Sequence, residues 1–225
     1  MKMNSKKREL SEDFHTQLII PKKLKVLSID KKAGNFIYNL IKKNKLKNTL
    51  EVGFGLGVST AYIISATKSK HIVIDPFFKT AWNSSIGIKN IKKLGFSRFL
   101  THYNDYSHNI LPQLVKKGLK IDFAFIDGDH KYDSVFIDYY YIDLMLKKNG
   151  FILLDDAGMR TTQLVASFIR TNKKNYREVN THYKNFLLFK KISTKDTRPW
   201  YHFNEFYNKR GMKSHSEFKK YDLRR

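Results

Sequence analysis

Acidic residues stand at the carboxyl ends of the strands expected from the sequence: Glu51, Asp75, Asp105, Asp127 and the adjacent pair Asp155 and Asp156. Beside the first lies LEVGFGLGVST, residues 50–60, with glycines at 53, 55 and 57. Glycines at this spacing permit positive φ and close approach of the backbone to a ligand. A helix opening behind them offers unpaired N–H groups and the positive end of its dipole. So many carboxylates would repel a phosphate-rich ligand; they suit ribose hydroxyls, an amine, a cation or a metal. Asp75 can accept hydrogen bonds from both hydroxyls of a ribose, a position shared with nicotinamide-dependent oxidoreductases. The glycine spacing separates the two cases, because a dinucleotide fold expects GxGxxG and here Val58 occupies the last glycine's place. No diphosphate-binding lysine follows the turn, which removes the P-loop reading.

The elements that would place these groups alternate. Apolar runs at 49–53, 71–75, 98–103, 121–127 and 151–155 read as strands. Helical stretches follow at about 58–66, 84–94, 107–116, 132–146 and 161–171. A further helix precedes them, capped by Ser28 or Asp30, with Phe36, Ile37, Leu40 and Ile41 on one face. Strands alternating with helices imply a parallel sheet covered on both faces. The last two β-like runs, 176–182 and 185–191, are separated by Tyr183 and Lys184, a connection that permits only an antiparallel pair. Three regions are expected: a basic tail and lead-in over 1–27, mobile over its first 15 residues, a domain over 28–191, and a basic aromatic extension over 192–225. After Pro199 that extension could form an amphipathic helix carrying Trp200, Tyr201, Phe203, Phe206 and Tyr207.

The 225 residues, 41% hydrophobic, can bury one substantial core. With no cysteine, disulfides, thiolate zinc sites and cysteine nucleophiles are excluded. No run of about 18 apolar residues is long enough to span a bilayer, so a soluble cytoplasmic protein is expected. The net charge of +23 invites a nucleic-acid partner, but the excess is spread along the chain and densest at its ends, which does not favour a dedicated surface.

ExGxGxG over Glu51, Gly53, Gly55 and Gly57, the acid Asp75, FIDGDH over 125–130 and the closing hairpin resemble the class I S-adenosylmethionine-dependent methyltransferases. LEVGFGLGVST, FAFIDGDHKYDSV and GFILLDDAG resemble in particular the small-molecule O-methyltransferases of the catechol and macrocin types, over about residues 30–191. The resemblance implies a Rossmann-like, doubly wound, mostly parallel seven-stranded sheet with a C-terminal antiparallel hairpin and helices on both faces. It implies S-adenosylmethionine as cofactor and a small-molecule acceptor, of sugar or natural-product type, methylated on a hydroxyl. Glu51 with the glycine turn would hold the aminocarboxypropyl arm, Asp75 the ribose, and Asp105 with Tyr106 the adenine side; Asp127 would lie under the transferable methyl. In metal-dependent members one divalent cation, such as Mg²⁺, would sit on Asp127, Asp155 and Asp156. The catechol type has Asp followed by Asn there, whereas this chain has two acids, as the macrocin type does.

Methyl transfer needs a deprotonated, aligned hydroxyl. A hard cation on three carboxylates, or His130 kept neutral near a helix N-terminus, could each supply that. Duller roles compete. Asp155 and Asp156 could cap the next helix, His130 could be a structural histidine, and Glu51 could be a solvent-facing acid. Phe77, Phe78 and Trp82 could wall the pocket or simply pack. The other histidines show no ligand spacing. Rival functions are methylation of RNA or protein through the basic termini, a non-catalytic cofactor-binding or scaffolding module, and a NAD-dependent oxidoreductase. A homo-oligomer is compatible with the sequence.

Overall fold

The computed structural model describes residues 13–76 and 84–206; Phe77, Phe78, Trp82, Tyr207 and the two chain ends fall outside them. Helix α1 (Phe14–Gln17) and a 3₁₀ turn (Lys22–Leu27) lead into α2 (Lys31–Asn44). Then come β1 (Thr49–Val52), α3 (Val58–Thr67), β2 (His71–Ile74), α4 (Ser84–Lys93), β3 (Leu100–Tyr103), α5 (Ser107–Lys116), β4 (Ile121–Ile126), α6 (Tyr132–Met145), β5 (Leu146–Leu154), α7 (Arg160–Asn172), β6 (Tyr176–Val179) and β7 (Leu187–Lys191). The strands form one sheet in the order β3-β2-β1-β4-β5-β7-β6, with β7 antiparallel to both neighbours and every other pairing parallel.

Alternation along the strands divides the core. Phe123 and Phe125 pack on one face with Ile37, Ile41, Tyr62 and Ile63 of α2 and α3. Ala124 and Ile126 face the other way, toward Leu111, Ile142 and Ile169 of α5, α6 and α7. Both faces are covered, which is why the strands read as continuous apolar runs. The strand order reverses between β1 and β4, so a crevice is expected beyond their carboxyl ends. Asp30, not Ser28, caps α2, its Oδ1 accepting from Ala33 N at 2.8 Å.

Three expectations about extent are corrected. The lead-in is not a separate tail: Phe14 and Leu18 are buried, and Phe14 meets Tyr62 edge-on at 4.9 Å. Asn90 ties it down further, exchanging hydrogen bonds with the backbone of Ile19 and donating to Leu56 O. Next, the connection between β6 and β7 is longer than two residues, because Thr181 organises it locally, its hydroxyl donating to Tyr183 O at 2.8 Å and accepting from Tyr183 N at 3.2 Å. Finally, residues 199–206 form no helix. They are held instead by Asn172, which binds the Asn204 backbone, and by Phe206 edge-on to Phe168 at 5.2 Å, leaving Trp200 95% exposed.

A charged group is buried beneath that extension. Asp143 accepts from Lys173 Nζ and Lys191 Nζ at 2.7 Å each and from the Tyr176 hydroxyl at 2.7 Å. Burial pushes its carboxyl up, but the two ammonium groups outweigh it and hold the pKa below the usual value. Lys173 also reaches Asp196 at 3.0 Å, so the same cluster anchors the extension.

Asp138 on α6 has no such compensation. It is buried, its Oδ1 has no hydrogen-bond partner, and burial pushes its pKa up to about 7, with the Ser107 hydroxyl opposing only in part. A carboxyl whose folded pKa exceeds its unfolded value contributes fully to stability below the unfolded pKa, and that contribution is lost as pH rises toward the folded one. Asp138→Asn is therefore expected to leave stability near pH 4 little changed and to raise it at pH 8 by up to roughly 3–4 kcal/mol. Urea unfolding at the two pH values reads the difference; equal effects at both would remove the ionisation as the cause.

Candidate active site

The glycine turn sits at the end of β1, where the strand order reverses. Gly53, Gly55 and Gly57 all have positive φ, at 92°, 47° and 73°. At Gly53 the requirement is also one of space, since a Cβ there would lie 2.0 Å from the Asp127 carbonyl oxygen. Gly53 thus lets the ends of β1 and β4 come together. Asp75, buried at the end of β2, accepts from Phe54 N at 2.7 Å and Gly55 N at 3.2 Å through Oδ2. It sets the conformation of the turn, a job its sequence position alone did not reveal.

Glu51 is placed differently from the expectation. It is completely buried, and its carboxylate accepts from the Ser59 hydroxyl, from Thr60 Oγ1 at 2.5 Å and from His71 Nε2 at 2.9 Å. His71 Nδ1 lies 2.9 Å from Thr49 Oγ1, so the imidazole bridges β1 and β2. Both carboxylate oxygens are engaged inside the protein. Glu51 thereby fixes the first turn of α3 behind the glycines, which corrects the solvent-facing alternative.

Asp105 and Tyr106 lie at the start of α5. Asp105 Oδ1 accepts from Asn109 Nδ2 at 2.9 Å and Tyr106 N at 2.7 Å, and these bonds hold its pKa below the ordinary value. Tyr106 is about half exposed and stacks on His108 with centroids 5.3 Å apart.

On the neighbouring strands, Asp127 follows β4, His130 stands one residue before the cap of α6, and Asp155 and Asp156 follow β5. One ligand atom from each of Asp127, His130 and Asp156 falls within 4.8 Å of the others. His130 Nε2 is 3.3 Å from Asp156 Oδ2. Burial, then the neighbouring charges of Asp155, Asp156 and Glu51, push Asp127 well above the usual carboxylate range. Asp155 is absent from the group. It is buried, and its Oδ1 accepts from Asp156 N and Asn185 Nδ2 at 2.7 Å each. Burial and the Asp156 charge push it up to about 7. The expected acid triad is therefore regrouped, with His130 standing where Asp155 was expected. Neither acid caps α7, whose N-cap position is Met159 with no side-chain cap hydrogen bond, so the capping role is corrected.

His71 and Asn185 carry no signal in the sequence, one lying within an apolar strand and the other in a turn. Ser59 and Thr60 could have been suspected from their place directly behind the glycine turn.

A methyltransferase-domain family model matches residues 50–157. The catechol O-methyltransferase of Niastella koreensis is 27% identical over 135 residues, covering 60% of this chain and 59% of that protein. The curated relatives that match are covered over only 50% to 59% of their own length. Among solved structures, the O-methyltransferase TomG of Streptomyces achromogenes, in complex with SAM, superposes with a TM-score of 0.68 at 16% identity, over 82% of this chain and 92% of that one. The O-methyltransferase of Bacillus cereus, in complex with SAH, gives 0.63 at 15% identity, over 80% of this chain and all of that one. At these identities the likeness is one of fold.

Proposed function

We propose that this chain, a class I S-adenosylmethionine-dependent methyltransferase by domain and fold, methylates a hydroxyl of a small molecule with the help of a divalent cation. The observation that carries the reading is the close approach of the glycine turn of β1 to Asp127, which itself groups with His130 and Asp156. The turn is a place of close approach without side chains. The group is a set of oxygen and nitrogen donors within reach of a single ion.

Residues present fit the cofactor. The Asp75-held turn and the uncapped start of α3 would receive the methionine end, and Asp75 the ribose, with Tyr106 and Asp105 on the adenine side. When bound, S-adenosylmethionine supplies the methyl group on a cationic sulfonium, and the carboxylates around the crevice favour that charge over a diphosphate. The donor group fits a cation as well: burial and then the neighbouring carboxylates push the Asp127 pKa up, two carboxylates and an imidazole converge there, and a positive ion among them would offset their repulsion. A bound hard cation supplies the charge that acidifies and orients an acceptor hydroxyl. Asp127, Asp156 and His130 would hold it; Asp155, drawn toward Asn185, would act from behind Asp156.

His130 supports a second reading. Its Nε2 pairs with Asp156, an arrangement in which a carboxylate orients an imidazole that can take the hydroxyl proton itself. Methyl transfer over a panel of sugar and phenolic hydroxyl acceptors separates the two. With a cation, chelation is expected to lower the rate at least 100-fold, equivalent to about 3 kcal/mol, and added Mg²⁺ or Mn²⁺ to restore it. Undiminished activity in chelator would assign the proton to His130. No transfer to any hydroxyl would remove the proposed reaction.

A further inference from the structure

We infer that Asn185 is the positioning residue of this site: its carboxamide, carried in on the β6–β7 connection, aims the Asp156 carboxylate at His130 and Asp127. The inference rests on the reading of that group as a cation site. Nδ2 donates to Asp155 Oδ1 at 2.7 Å and to Asp156 Oδ1 at 3.4 Å, so one amide nitrogen holds both acids. With Asp156 Oδ1 directed to Asn185, Oδ2 is the oxygen that lies 3.3 Å from His130 Nε2. The two oxygens of one carboxylate are thereby given different tasks.

The backbone shows the same hold. Asp156 has φ of +50°, a left-handed conformation uncommon for a residue with a side chain. Two hydrogen bonds close around it: Asp156 N to Asp155 Oδ1 at 2.7 Å, and Ala157 N to the Asn185 carbonyl at 3.0 Å. Asn185 therefore fastens the turn after β5 through both its side chain and its main chain.

Asn185 is itself fixed relative to Asp127. Its neighbour Phe186 is buried, with its ring edge-on to Phe125 of β4 at 5.8 Å, two residues before Asp127. On the other side Phe186 meets Tyr183 at 4.8 Å, and the Tyr183 hydroxyl donates to Asp30 Oδ2 at 3.0 Å at the cap of α2. The residue after Asp155 is an acid and not an asparagine; the carboxamide reaches the two acids from the β6–β7 connection instead.

Mn²⁺ titrated into the full chain, followed by electron paramagnetic resonance of the free ion, tests the assignment. S-adenosylhomocysteine binding is measured by calorimetry on the same preparations. Asn185→Ala is expected to weaken Mn²⁺ binding roughly 10- to 100-fold, the effect usual for a group that orients a ligand, while leaving S-adenosylhomocysteine affinity within about twofold. Asn185→Ser, which keeps one donor, is expected to recover part of the loss, which a packing role would not reproduce. Mn²⁺ binding equal in wild type and Asn185→Ala, or absent from wild type, overturns the inference. Parallel loss of both ligands in Asn185→Ala also overturns it, as a general structural effect. Failure of the wild type to bind S-adenosylhomocysteine counts instead against the reading of function.

Discussion

Gly53→Ala is expected to abolish measurable S-adenosylhomocysteine binding, weakening it by at least 100-fold. Two costs coincide at this position. A φ of +92° is strained for any residue with a Cβ, at about 1–3 kcal/mol. The added carbon would also stand 2.0 Å from the Asp127 carbonyl, which is backbone and cannot rotate aside. That carbonyl is fixed by the register of β1 with β4 and by Asp127 N donating to Val52 O at 2.9 Å. The clash can be relieved only by parting the strand ends, which moves Asp127 and pulls Phe54 N and Gly55 N away from Asp75. Gly95→Ala is the control. Its φ is +70° with nothing within 4 Å of a built Cβ, so it should cost about 1 kcal/mol of stability and leave binding intact. If both substitutions lower stability alike and neither affects binding, the close approach at Gly53 has no functional part.

The largest effect on stability is expected from Asp143→Asn, a loss of about 3–5 kcal/mol read by urea unfolding at pH 7. The substitution leaves Lys173 and Lys191 buried without the carboxylate that compensates both. Because the Asp143 pKa is depressed in the folded state, its contribution is present above the unfolded carboxylate value and is lost as pH falls through the folded one. The variant's deficit should therefore shrink in acid. A triple variant, Asp143→Leu with Lys173→Met and Lys191→Met, is expected to recover part of the loss, since it removes all three charges together but leaves the Tyr176 hydroxyl without its acceptor. A triple variant as unstable as the single one would mean that the ions contribute more than mutual compensation.

Much of the fold was legible because it rests on local regularity. The apolar runs of β1, β2, β4 and β5, the glycines at the first turn and the short final connection are all properties of neighbouring residues. The antiparallel pairing of β6 with β7 followed from the connection's length even though that length was underestimated. What escaped is what distant residues do to one another. Phe14 and Leu18 follow a charged stretch, and their burial comes from distant residues of one apolar cluster, Tyr62 and Phe96 against the Phe14 ring among them. Neither Asp143 nor its lysines announces a partner, because they lie on α6, the end of α7 and β7.

The candidate site divides in the same way. Every acid singled out from strand ends lies at the carboxyl side of the sheet, because the βα pattern dictates that placement. Which side chain meets which depends on single torsions and on the third dimension. Glu51 turns to His71 and the α3 hydroxyls, Asp155 turns to Asn185, and His130 joins Asp127 and Asp156. No spacing in the chain encodes those choices.

The most direct test is calorimetric titration of S-adenosylhomocysteine into the full chain at neutral pH, beside a NAD titration and the Gly53→Ala variant. Saturable one-to-one binding by the wild type is expected, with none by the variant and no heat from NAD. A wild type that binds NAD, or that fails to bind S-adenosylhomocysteine, would contradict the proposed function.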